Sequence, residues 1–261
     1  MRNAFTFAKK ELSVYFTTPI AYVMFALVTL IGSFFFLSLV GQYQQTSMFY
    51  MRFNNPEVMN RLNFMDMVLM PLTVNMGVIF IFVAPFLTMR LLSEERKQKT
   101  MELLLSTPVT SAEIVIGKYI ACCVIMLACV VLTLVYPLSL QLSASTSAGI
   151  DWPTVIAGDV GLFLLGCAFM AVGLFFSALT ESQMVAALAT FMTLLISWVL
   201  GWRAQEAEGV MKDVVQFLSS TQHIVSFAKG NVDAKDLAYF FSVILFGLFL
   251  SHRAVEAQRW S

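Results

Sequence analysis

Six apolar stretches, at residues 21–40, 67–91, 119–142, 160–179, 184–201 and 237–250, decide most of what this 261-residue chain can become. A helix needs about 20 apolar residues to cross the hydrocarbon core of a bilayer, and these runs reach or approach that length. The last is the shortest, and the spacing predicts that it starts within 233–236 or runs past His252. In lipid every backbone N–H and C=O must find a partner within the chain, so such runs are helices, and their lack of strict alternation excludes a barrel. The expected fold class is therefore all-α, a polytopic membrane protein with six transmembrane helices. Composition agrees: 59% of residues are hydrophobic and 12% charged, against about 45–50% and about 25% in soluble domains.

The same composition removes several function classes. Sixteen basic and sixteen acidic residues cancel, which leaves no bulk charge to hold nucleic acid. There is no Gly-rich phosphate loop of the Walker type, so the chain does not hydrolyse nucleotide by that route. Cys122, Cys123, Cys129 and Cys167 all fall inside apolar runs, which reads as small buried side chains rather than disulfides or a zinc site. His223 and His252 are far apart and lack further ligands at metal spacing, so no metal or cofactor is expected on this chain. The first apolar run follows basic residues without a small-residue cleavage site and reads as a retained signal-anchor.

Ten of the sixteen Lys and Arg residues lie on the face that carries both termini and the loop at 92–118, which favours cytoplasmic termini. Residues 1–20 place Phe5, Ala8, Leu12, Tyr15 and Phe16 on one side and Thr6, Lys9, Lys10 and Ser13 on the other, an amphipathic helix at the interface. Phe7 and Val14 break that pattern and point to protein contact. Thr17-Thr18-Pro19 then ends the helix. On the opposite side, the loop at 202–236 carries Val210, Val214, Phe217 and Leu218 at helical spacing, a short helix expected to lay its apolar stripe on the membrane domain.

The charged segment at 89–118 interrupts the membrane runs. Ser93-Glu94-Glu95-Arg96-Lys97-Gln98-Lys99 extends the second span into water, and Ser106-Thr107-Pro108 breaks the helix that follows. Ser111 is positioned to cap the next one. Two short helices around a Pro-containing turn, continuous with membrane helices at both ends, form an elbow through which an outside protein can push. The plainer alternative is a solvated hairpin joining two spans.

Ala84-Pro85-Phe86-Leu87-Thr88-Met89-Arg90-Leu91, then Glu94-Glu95-Arg96, then Thr100-Met101-Glu102-Leu103-Leu104-Leu105-Ser106-Thr107-Pro108-Val109 resembles the membrane subunits of ABC-2-type transporters. The likeness is greatest to the subgroup associated with bacterial gliding motility. Lys9-Lys10-Glu11-Leu12 with Pro19-Ile20-Ala21-Tyr22, the FFSALTESQ turn at 175–183, and His223, Phe227, Gly230, Asp233 and Asp236 of the last outer loop resemble that subgroup too. Lys99 departs from the family, which often has Gly there, and this bears on how sharply the chain bends.

The resemblance implies a single ABC-2-type transmembrane domain in a bacterial inner membrane, paired with a second permease subunit, identical or related. Two cytoplasmic ABC ATPase subunits would hold ATP and Mg. The elbow would be the coupling region, with Glu94, Glu95, Arg96, Thr100, Glu102, Leu103, Leu104 and Pro108 as its contacts and Glu181 as a second ATPase contact. The segment at 210–226 would form outer helices, with Phe217, Leu218, His223 and Phe227 as gate candidates. Export is the family's usual direction, and membrane lipid and an extracytoplasmic protein are further partners.

Other expectations stay open. Asp66 and Asp159 flank spans, where each reads as a headgroup-level carboxylate or as the proton site of an ion-coupled secondary transporter. A scaffold that anchors an ATPase without a transport path is a third alternative. Gly158, Gly161, Gly166 and Gly173 on the fourth span permit close packing, including at a dimer seam.

Overall fold

A computed structural model describes residues 2–52, 63–100, 109–143, 150–203 and 210–258 of the protein, and every regular element among them is helical. Helix α1 (Arg2–Thr17) ends where Thr17 Oγ1 and Thr18 Oγ1 donate back to the Ser13 and Val14 carbonyls, at 2.9 and 2.8 Å, just before Pro19. Helix α2 (Ile20–Arg52) has 33 residues, or about 50 Å at ~1.5 Å per residue, so it outreaches a hydrocarbon core of about 30 Å.

A π-helical turn (Met65–Leu69) leads into α3 (Met70–Thr88), with Pro71 in its first turn, where a missing N–H costs nothing. Then come α4 (Ser93–Lys97) and α5 (Ser111–Thr133). The cap of α5 is Thr110, one residue earlier than the sequence reading. Its side chain accepts from Glu113 N while the Glu113 side chain reaches back, forming a capping box. After Leu134 the span continues as α6 (Val135–Ser143), because Pro137 has no N–H for the Thr133 carbonyl.

Helix α7 (Trp152–Leu179) is the hub and packs against α3, α4, α5, α8 (Gln183–Arg203), α10 (Ser220–Ala228) and α11 (Ala234–Gln258). Among the described residues six helices are long and apolar enough to cross a membrane, α7 being the most enclosed and α2 the least. They alternate in direction. One face, the terminal face, therefore gathers α1, α4, the start of α5, the end of α7 and the end of α11. The far face carries α9 (Val210–Leu218) and α10.

The fourth span starts at Trp152, not 160, because Gly158 and Asp159 interrupt the hydropathy without interrupting the helix. Asp159 is consequently two turns inside α7 instead of beside it. The glycines of α7 serve packing within the chain: a Cβ on Gly161, Gly166 or Gly173 would overlap Phe227, Met126 or Thr88. Finally, the outer segment breaks at Ser219 into two helices, and Val214, Phe217 and Leu218 stay about half exposed instead of lying on the domain. It is α10 that takes the place over α7, leaving α9 on the rim.

Candidate functional site

The chain leaves α3 at Thr88, turns over 89–92 and re-enters a helix at Ser93. That turn is closed by α7. Ser177 Oγ accepts from the backbone N–H groups of Leu92 (3.0 Å) and Ser93 (3.2 Å) and donates to Met89 O (3.2 Å). The first turn of any helix leaves such N–H groups without acceptors, so this hydroxyl does what a cap would do. Ser93 Oγ also donates to the Met89 carbonyl. One residue on, Ala178 O accepts from Arg96 Nη1 (2.7 Å) and from Gln258 Nε2 (3.0 Å). A cation at the carbonyl end of a helix is favoured by the helix dipole as well as by the hydrogen bond. Helix α4 is thereby fastened to α7 and, through a shared carbonyl, to α11.

Lys118 fastens it on the other side. Its Nζ donates to Glu95 Oε1 at 2.8 Å and to Glu11 Oε1 at 2.6 Å, and its side chain is 1% exposed. One ammonium thus joins α1, α4 and α5. Two carboxylates around one ammonium leave a negative charge in excess, and Glu95 Oε2 is buried with no hydrogen-bond partner among the described residues. Beside the trio opens a cavity of about 290 Å³ lined by Lys10, Arg90, Glu94 and Gln98 as well as the trio itself. Arg90 Nε pairs with Glu94 Oε2 at 3.2 Å across one turn.

Helix α1 is docked on α5, not merely laid on the interface. At Gly117 a Cβ would come within 2.6 Å of the Ala4 carbonyl oxygen, so the glycine permits the close approach. Buried Ala4, Ala8 and Tyr15 share the contacting face with Glu11, while Phe5 and Phe16 point away. Tyr15 donates to Leu87 O at 2.5 Å, and burial pushes its phenol well above the ordinary value, which keeps it a donor.

Beyond α4, Lys99 has φ 55°. This is the left-handed conformation that glycine favours just past a helix end. The bend expected of a family glycine is therefore made by a lysine. Lys97, Gln98 and Lys99 form the exposed tip, and Thr100 Oγ1 donates to Glu95 O at 3.3 Å. Glu102, Leu103, Leu104 and Pro108 lie outside the described residues.

On the far face, His223 of α10 is buried between two acceptors. Nδ1 is 2.7 Å from Asp236 Oδ1, and Nε2 is 3.0 Å from Phe217 O. A neutral imidazole has one N–H, so satisfying both contacts takes the imidazolium or a proton on Asp236. The ring stacks on Tyr239 with centroids 4.0 Å apart. Tyr239 meets Ser220, which meets Ser197 of α8. Phe227 is fully buried beside Gly161 and Phe240.

A multi-pass bundle with an elbow bolted to α1, α5 and α7 has the form of a membrane transport component. The family described as ABC-2 family transporter protein matches residues 5–250. The chain belongs to the ABC-2 transporter family. No curated protein matches it. As an ABC-2 protein it is a permease subunit of an ABC transporter, the membrane part and not the catalytic part, and membership implies ABC ATPase partners.

Within this ABC-2 subunit, Glu95 and Arg96 turn inward to Lys118 and Ala178, and Glu94 is held by Arg90. Glu181 is exposed in the 180–182 turn. Of the outer candidates, His223 and Phe227 are buried anchors, whereas Phe217 and Leu218 form the half-exposed rim. Sequence reasoning missed Lys118, Ser177 and the role of Glu11. The readable signal was Glu11 itself, a carboxylate on the same helical face as Ala4 and Ala8, where small residues announce a docked neighbour. Among the described residues no three His, Cys, Asp or Glu side chains gather to hold a metal, and all four cysteines are free thiols.

Proposed function

We propose that the chain is the membrane-spanning permease of an ATP-driven ABC-2 exporter, with its terminal face in the cytoplasm of a bacterial inner membrane. Separate ATPase subunits bind and hydrolyse ATP with Mg on that face, and two permeases, identical or related, form the path. The observation that carries this reading is the fastening of α4. It is tied to α1 and α5 through Lys118 and to α7 through Ser177 and through Ala178, whose carbonyl also accepts from Gln258 of α11. An element held on several sides moves its holders when it is pushed.

In this reading the exposed tip Lys97–Lys99 leads into Glu102, Leu103, Leu104 and Pro108, the docking surface. Glu94, Glu95, Arg96 and Thr100 brace it from behind, and Glu181 adds a nearby contact. The Lys and Arg surplus on the terminal face supports its cytoplasmic orientation. The little-covered α2 and α8 supply apolar faces for a second permease. Likeness to the gliding-motility subgroup adds an extracytoplasmic partner on the far face, over α9.

Affinity purification from native membranes tests this, comparing wild type with Glu102→Arg. The expected result is a stoichiometric ATPase with wild type that is lost from the variant. Absence of any nucleotide-binding protein from both preparations would sink the reading.

A further inference from the structure

We propose that a cavity beneath α10 binds one small monovalent cation on Asp159, either Na+ or a proton taken onto the carboxylate itself. This site is independent of the elbow and of any ATPase. The cavity measures about 30 Å³, room for a water-sized species. It is lined by the π-helical turn and α3 (Met65, Leu69, Thr73), by Thr133 and Pro137, by Thr154 and Asp159 of α7, and by Ala228 of α10.

Charge balance is the first argument. Asp159 Oδ2 is buried with no hydrogen-bond partner among the described residues, and no Lys, Arg or His lines the cavity. A second carboxylate, Asp151, touches the lining, its Oδ2 accepting from Thr154 Oγ1 at 2.5 Å, and the Tyr136 hydroxyl lies beside the lining residue Met76. A carboxylate two turns inside a membrane helix, without a basic partner, is favoured there when a bound cation or a proton neutralises it.

Hydrogen placement is the second argument. A threonine hydroxyl has one hydrogen and two lone pairs. Thr73 spends its hydrogen on Leu69 O at 3.1 Å, and Thr154 spends its own on Asp151. Thr133 has one hydrogen for two acceptors, Val130 O at 2.6 Å and Asp159 Oδ1 at 2.9 Å. Thr73 and Thr154 therefore keep lone pairs for an occupant, while Thr133 shares its hydrogen between Val130 O and Asp159 itself. A small space that sets one carboxylate and three threonine hydroxyls among apolar side chains, Leu72, Met76, Val155 and Leu162 included, gives a hard cation those four oxygen-bearing groups to bind. With a single lining carboxylate, the occupant carries one charge; calcium-type sites use six to eight oxygens and several carboxylates. The π-helical turn on the wall is the kind of local irregularity that often accompanies such sites.

The test uses the full-length protein in lipid nanodiscs. Its melting temperature is followed in NaCl against KCl and choline chloride at constant ionic strength, and separately against pH without Na+, for wild type and Asp159→Asn. If Na+ is the occupant, wild type gains a saturable rise of about a few degrees that shrinks as protons compete. If a proton is the occupant, acid stabilises wild type regardless of Na+, and its infrared spectrum shows a protonated carboxylic acid absent from the variant. In either case the response is missing from Asp159→Asn, whose neutral amide imitates the occupied site. Should that variant fail to fold, Thr73→Val removes one acceptor without changing shape and shifts the midpoint of the response several-fold. Equal responses of wild type and variants, or no response to Na+ or pH, would overturn the proposal.

Discussion

On the terminal face, Lys118 sits within 2.8 Å of two carboxylates carried by two other helices. On the far half of the bundle, Asp159 has a threonine hydroxyl at 2.9 Å and no base in the lining of its cavity. The first arrangement spends buried charge on joining elements, since attraction to a shared ammonium draws α1, α4 and α5 together. The second holds charge with nothing of opposite sign, and so invites an occupant from outside the chain. Buried ion pairs repay their desolvation only when geometry and hydrogen bonds are good. The difference predicts opposite responses to neutralisation.

Lys118→Met carries the largest expected effect. It strands Glu11 and Glu95 as partly buried, unpaired carboxylates and should cost about 3 kcal/mol in unfolding experiments in micelles. The triple variant Glu11→Gln, Glu95→Gln, Lys118→Met should recover most of that loss, because no charge is then left unpaired. Asp159→Asn should not destabilise in Na+-free alkaline buffer. Equal losses for Lys118→Met and Asp159→Asn would erase the contrast between the two halves.

Smaller changes sharpen it. Ser177→Ala leaves the Leu92 and Ser93 N–H groups unpaired at the elbow, and should cost about 1–3 kcal/mol in the same experiment. His223→Ala on the far face should cost a similar amount, and should also raise hydrogen exchange in α9 and α10 while leaving α4 unchanged. Lys99→Gly should stabilise by about 1 kcal/mol, since glycine takes φ 55° without strain. A destabilised Lys99→Gly would mean that the lysine side chain, not the backbone bend, matters at the tip.

Hydropathy made the six membrane helices legible, because lipid leaves a long apolar run no other conformation. It misplaced the start of α7, since Gly158 and Asp159 look like a boundary to a hydropathy window and like ordinary helix to the backbone. The elbow was legible as a charged interruption between two spans, whereas its fastenings were not. Lys118, met at the edge of an apolar run, reads as a headgroup anchor; only the fold brings Glu11, 107 positions away, to within 2.6 Å of it. Ser177 gives no signal at all, because a serine near the end of a span is common and its value lies in which N–H groups it faces. The stripe of Val214, Phe217 and Leu218 was legible as a helix, but its exposure depended on α10 occupying the place over α7.

In the proposed function the Lys118 joint relays motion from the elbow to the bundle. The direct measurement is the nucleotide-induced response of an environment-sensitive fluorophore at Val214→Cys, on exposed α9, in the purified permease–ATPase complex. We predict a clear signal on trapping ATP in the parent protein. In Lys118→Met the signal should be lost while the ATPase still co-purifies. A full response in Lys118→Met, with the ATPase bound, would show that the push reaches the far face by another route and would contradict the account.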